Sequence, residues 1–177
     1  MDDRLSAALI SRGLPYRAAE LLADIGNVTV ALPVLAVVLV YAASRDRRDG
    51  VPDWWRRPAV AALTMAVVPL LVLPLKETIA RTGPAVMGPG TGYYPSGHAS
   101  TAGVAYGACL LLVLPYVRSA YRRRELTIGC VVLNAGVGLG LVERGYHWPL
   151  DVVGAWCLSV VLLYVMSRVW AGRAPRD

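Results

Sequence analysis

Five unbroken apolar stretches decide what this chain can fold into. They run Ile25–Ala43, Pro58–Leu75, Thr101–Val117, Leu126–Val142 and Val152–Trp170, and none carries a charge before its last turn, where Arg168 falls. A membrane-crossing helix needs about 17–25 predominantly apolar residues, which all five provide. They are apolar around the whole circumference, whereas the helices of a water-soluble domain show a stripe. The chain of 177 residues is 56% hydrophobic, above the roughly 45–50% of ordinary soluble domains, and its mean hydropathy is +0.49. The fold class expected is therefore all-α: an integral membrane helical bundle of five transmembrane spans plus an N-terminal amphipathic helix, or six spans if that helix inserts.

Residues 1–24 supply the amphipathic segment. Gly13-Leu14-Pro15 breaks it, so it lacks the continuous apolar core of a cleavable signal peptide. Beyond the break Ala18, Leu21, Leu22 and Ile25 recur at helical spacing, with Arg17 and Glu20 elsewhere on the turn. Cys109, Cys130 and Cys157 all fall inside spans without a CxxC pair and read as small core residues. The length suits a single domain, 1–177, ending in a cytoplasmic tail at 171–177.

The net charge of +6 is arranged by topology. Arg45, Arg47, Arg48, Arg56 and Arg57 lie between the first two spans, Arg118, Arg122, Arg123 and Arg124 between the third and fourth, and Arg168, Arg173 and Arg176 at the end. If the spans alternate, all of these share one side, which the positive-inside rule makes cytoplasmic. They are membrane-topology signals and not a nucleic-acid surface. The same alternation gathers Lys76, Arg81, His98, Arg144, His147 and Asp151 at the opposite, extracytoplasmic face, although they are as much as 75 residues apart. Charges kept at a membrane boundary against the topology rule are functional candidates. Tyr41, Trp54, Trp55, Tyr93, Tyr94, Tyr116, Trp148 and Trp170 stand near span ends and are assigned to interfacial belts.

Both histidines stand at the mouth of a span. In Tyr93-Tyr94-Pro95-Ser96-Gly97-His98 the chain enters a helix at Ser96 or Gly97, and a helix N-terminus offers unpaired N–H groups that suit an anion. In His147-Trp148-Pro149-Leu150-Asp151 the proline fits a first helical turn and places the aspartate about one turn beyond the histidine. There the carboxylate can accept from the imidazole and fix its tautomer. Lys76 and Arg81 follow the second span. A continuing helix sets them about 140° apart, flanking a cavity. The loop of roughly 20 residues after them, rich in Gly and Pro, is long enough to cover something. Two histidines facing each other across an anion seat ringed by cations imply a nucleophile and a general acid, and hence phosphoryl transfer through a phosphohistidine.

At these residues the chain resembles the type 2 phosphatidic acid phosphatase family, membrane lipid-phosphate phosphatases related to vanadium haloperoxidases. Lys76 and Pro84 hold the outer positions of the family's first motif, Pro95-Ser96-Gly97-His98 matches the second completely, and His147 with Asp151 closes the third. The resemblance implies that His147 attacks phosphorus, Asp151 orients it and His98 protonates the leaving alkoxide. Lys76 and the N–H groups around Ser96 and Gly97 would hold the phosphoryl oxygens, with no metal or other cofactor. Two positions depart from the pattern: Gly83 stands for the first-motif arginine, and Gly140-Leu141 for the Ser-Arg of the third. Arg81 and Arg144, close by, are expected to take over the clamp from shifted positions, while the competing assignment pairs Arg144 with Glu143 or with headgroups.

The substrate expected is a membrane lipid carrying a phosphate or pyrophosphate, polyprenyl or glycerolipid, at a multi-pass cell-membrane protein whose oligomeric state the sequence leaves open. Two rival readings stand beside it. One is a metal-dependent hydrolase built on His98, His147 and Asp151. The other is a lipid-binding or transport protein with a degenerate site.

Overall fold

Capping side chains mark where the apolar runs become helices. The computed structural model describes residues 13–171, in which six helices appear: α1 (Tyr16–Ile25), α2 (Val28–Arg48), α3 (Arg56–Ile79), α4 (Gly97–Val113), α5 (Ala120–Glu143) and α6 (Pro149–Ala171). Short 3₁₀ turns occupy Ala85–Met87 and Leu114–Tyr116. The Asn27 side chain accepts from Thr29 N at 3.2 Å, Ser96 Oγ from Ala99 N at 3.3 Å and Ser119 Oγ from Arg122 N at 3.4 Å, each satisfying a helix-start amide. Residues 1–12 of the amphipathic segment and 172–177 of the tail lie outside the described residues.

Helices α2 to α6 are each long and apolar enough to cross a membrane. They overrun the apolar stretches into charged ends, as at Arg45–Arg48 and Arg122–Arg124, because a helix keeps its hydrogen bonds after leaving the hydrocarbon. Ile25 belongs to α1, and the corner Gly26-Asn27 separates it from the first span.

Helix α4 is the central element, in contact with α2, α3, α5 and α6. Its small residues allow this: a methyl group at Gly103 would stand 2.7 Å from Ser159 Cβ of α6. At the basic end of the bundle Asp46, 3% exposed, accepts from Tyr116 O–H at 2.6 Å and faces Arg57 at 3.6 Å. Arg57 also lies over the Trp170 ring at 5.2 Å. These contacts knit α2, α3 and α6 together at the end away from the histidines.

Helix α1 covers ten residues, about 15 Å at 1.5 Å per residue, half of a hydrocarbon core about 30 Å thick. It lies on α5, and the face it buries differs from the one the sequence pattern favours. Ala19 and Ala23 are buried whereas Leu21 is 65% exposed. The reason is the partner surface: Gly140 on α5 brings the backbones so close that a methyl group there would stand 2.6 Å from Ala19 O and 2.7 Å from Ala23 N. Only an alanine edge fits against it. The cysteines are free, and Cys157 is exposed rather than a core residue. Tyr94 also departs from expectation: its ring packs on Gly154, where a methyl group would meet it at 2.5 Å.

Gly140→Ala is therefore expected to push α1 off α5 at a cost of about 1–3 kcal/mol, as overpacking does. Thermal unfolding in detergent checks it, with Gly129→Ala, where nothing stands within 4 Å, as the neutral comparison.

Candidate active site

The turn between α5 and α6 builds the centre of the site. Gly145, at φ +66°, makes the reversal. Tyr146 N and His147 N then both donate to Leu141 O, at 2.9 and 3.3 Å. Pro149 opens α6 and Asp151 stands at its third position, where its Oδ2 accepts from Trp148 N at 3.0 Å, the acidic half of a capping box. The same oxygen lies 3.4 Å from His147 Nδ1, which points the imidazole's Nε2 away from the carboxylate. Asp151 is fully buried, and its Oδ1 accepts from Arg81 Nη1 at 2.6 Å. Its main-chain carbonyl accepts from Ser96 N at 3.0 Å, bringing the Pro95–His98 stretch against the start of α6.

Arg81 reaches Asp151 because α3 does not continue to it. The helix ends at Ile79 and Ala80 turns left-handed at φ 46°, so the expected 140° relation between Lys76 and Arg81 does not arise. The left-handed residue instead redirects the chain toward α6. Lys76, in the last turn of α3, donates to Gly92 O at 2.7 Å. The following loop is fastened down by a bridge between Thr82 and Thr91, by Tyr93 N donating to Arg81 O at 3.2 Å, and by Trp148 Nε1 donating to Thr82 O at 3.0 Å. Trp148 and Tyr93, both assigned to interfacial belts by sequence, are part of this fastening; the Tyr93 ring stands edge-on to His147 with centroids 6.0 Å apart.

Together these elements enclose a cleft of about 330 Å³ lined by Lys76, His98, His147, Leu141, Tyr93 and Asp24 among others. Both histidines and the lysine thus share one cavity. Next to His98 in the chain, Gly97 lines an adjoining groove, where a side chain would meet nothing within 4 Å, and the first amides of α4 have no partner within the helix. The Ser96 hydroxyl is spent on capping α4. Sequence reasoning missed Asp24. Its signal was present: a carboxylate in the last turn of a helix, where the dipole disfavours it, at the end of α1 that topology puts beside the histidines.

Arg144 does not line the cleft. Its Nε donates to Glu20 Oε2 and its guanidinium lies 3.8 Å over the Tyr16 ring, while Tyr146 O–H donates to both Glu20 oxygens at 3.0 Å. The expected clamp arginine is a strut between α1 and the α5–α6 turn, because the carboxylate it pairs with is on α1. Neither Glu143 nor a headgroup is needed as its partner.

A family model of the PAP2 superfamily matches residues 57–174, two thirds of the chain. The chain belongs to the PAP2 superfamily. It is accordingly a phosphoric monoester hydrolase, carried here on five apolar helices able to cross a membrane. A crystal structure of a transmembrane PAP2-type phosphatidylglycerolphosphate phosphatase from Bacillus subtilis superposes with a TM-score of 0.79 at 20% identity, over 99% of this chain and 87% of that one, a likeness of fold. No curated protein matches the chain.

Both departures from the PAP2 motifs have a steric cause. A methyl group at Gly83 would stand 2.5 Å from the Tyr93 ring, so the volume of an arginine stem is already filled. Gly140 is required by the approach of α1, and Leu141 beside it is 1% exposed. An apolar side chain therefore walls the cleft where the family pattern has a cation.

Glu20 gives this arrangement a pH signature. The Arg144 hydrogen bond, aided by the Tyr146 hydroxyl, holds its carboxyl below the usual glutamate range. A carboxyl lowered on folding stabilises the fold above its unfolded pKa and loses that contribution as pH falls through the folded value. The docking of α1 is expected to weaken only in acid below the ordinary glutamate range, and Glu20→Gln to remove that acid step; thermal unfolding in detergent against pH reads both. Gly83→Arg alone is expected to lower turnover by displacing Tyr93, and a Tyr93→Ala background to relieve part of the loss, as kcat/KM of the single and double variants will show.

Proposed function

We propose that this PAP2 protein hydrolyses a lipid-linked phosphate at the extracytoplasmic membrane boundary through a phosphohistidine. The observation that carries the lipid substrate is the joining of two cavities. The polar cleft shares Lys76 and His98 with an apolar groove of about 640 Å³ between α2, α3 and α4, lined by Leu32, Met65, Val68, Val72 and Leu73 among others. One molecule with a phosphate head and a hydrocarbon tail fits the pair.

In this reading the phosphoryl oxygens lie against Lys76 and the amides of Gly97 and His98. His147 Nε2 forms a bond to phosphorus as the P–O bond to the lipid breaks, and His98 gives its proton to the departing alkoxide. Water then attacks phosphorus while His98 takes a proton from it, and the N–P bond breaks to release inorganic phosphate. Asp151 holds the His147 tautomer that exposes Nε2, and Arg81 holds the Asp151 carboxylate in place. Arg81 so acts on the nucleophile through Asp151, and Arg144 through the seating of α1. The sidedness follows from the twelve basic residues assigned to the cytoplasmic face. Polyprenyl phosphates and glycerolipid phosphates, phosphatidylglycerolphosphate among them, are the candidate substrates.

The metal-dependent alternative meets a geometric obstacle. Among the described residues no three His, Cys, Asp or Glu side chains are grouped to hold an ion, and the Asp151 oxygens are engaged by Arg81 and the Trp148 amide.

Phosphate release from a panel of lipid phosphates by the purified protein tests the reading. Activity is expected to survive EDTA and to be lost to vanadate and in His147→Ala, with His98→Ala lowering kcat by about 10²–10⁴. Turnover that persists in His147→Ala, or that EDTA abolishes, contradicts it.

A further inference from the structure

The cleft meets an incoming anion with little positive charge. Lys76 lines it, but Arg81 gives its Nη1 to the buried Asp151 carboxylate and Arg144 is drawn to Glu20 on α1. Leu141 fills the position where a third cation would reach the cavity. Against this stands Asp24, an acidic residue that lines the same cleft from the last turn of α1. It has no side-chain hydrogen bond or ion pair to any described residue, and its charge acts on His98.

His98 marks the leaving-group side, since it is the histidine that donates to the departing oxygen. The two classes of lipid substrate differ on that side. A monophosphate departs as a neutral alcohol once protonated, whereas a pyrophosphate departs as a lipid phosphate still carrying negative charge. A carboxylate beside His98 tolerates the first and repels the second, and repulsion built against the wrong ligand is an ordinary source of specificity.

We propose that Asp24 is a specificity-determining residue that confines this site to lipid monophosphates by placing a negative charge where the second phosphate of a lipid pyrophosphate would lie. The inference rests on the phosphatase reading above and narrows its substrate. It also gives α1 a role in the site: the helix seated through Gly140 and the Glu20–Arg144 pair carries the discriminating group into the cleft.

The test compares one polyprenyl chain as monophosphate and as pyrophosphate, with phosphate release measured for the purified full-length protein. The wild type is expected to favour the monophosphate in kcat/KM by tenfold or more. Asp24→Asn, which keeps the shape and removes the charge, is expected to shrink that preference about tenfold, Asp24→Ser to do the same, and Asp24→Glu to retain it. A preference unchanged in both neutral variants, or a wild type that favours the pyrophosphate, overturns the proposal while leaving the phosphatase reading intact. If neither polyprenyl lipid is hydrolysed, the phosphatase reading is decided by the lipid phosphate panel above, and the charge argument is judged by calorimetry with inorganic phosphate and pyrophosphate. Asp24→Asn must then tighten pyrophosphate relative to phosphate, and equal effects on the two overturn it.

Discussion

The site depends on one fully buried carboxylate. Taking an ion such as Asp151 out of water costs several kcal/mol unless partners replace the lost hydration, and its partners come from three separated parts of the chain. Arg81 arrives from the end of α3, the Trp148 amide and His147 Nδ1 from the α5–α6 turn, and the Ser96 amide meets the carbonyl of the same residue. Satisfying Asp151 therefore brings the end of α3 and the starts of α4 and α6 to one point. The bonds that orient the His147 imidazole and the bonds that close the bundle are the same set.

Around that centre, close packing has replaced charge. The Tyr93 ring on Gly83 occupies space that an arginine would need, the α1 backbone leaves no room for a side chain at Gly140, and Leu141 stands as an apolar wall where the third motif has its arginine. Arg144 has become a strut that ties α1 to the α5–α6 turn. What the cleft loses in positive potential it gains in an additional wall, and that wall brings Asp24.

Much of this was legible in the sequence because its physical causes are local or topological. Five apolar runs dictate five spans, and alternation of those spans carries His98, His147, Lys76 and Asp151 to one end, where the two histidines and the lysine line one cleft and Asp151 stands beside His147. The i,i+4 spacing of His147 and Asp151 at a proline-started helix foretold their contact, now 3.4 Å. The failures have a common origin in contacts between distant elements. Arg144 was misplaced because its partner Glu20 lies 124 residues away. Tyr93 and Trp148 were assigned to the interface because aromatic residues at span ends look alike until the loop that fastens them is seen. A continuing helix would set Arg81 about 140° from Lys76 across a cavity, but a left-handed Ala80 ends the helix first. Asp24 was overlooked on a segment valued only for its apolar face.

The central claim is that the Asp151 network presents His147 Nε2 to phosphorus. Rapid quenching of the purified protein during turnover of a labelled lipid phosphate, followed by mass spectrometry under conditions that preserve N–P bonds, addresses it most directly. The account predicts a phosphoryl group on residue 147, with its accumulation slowed in Asp151→Asn. Label on any other residue, or turnover with no phosphorylated protein even when dephosphorylation is slowed by removing His98, would contradict it.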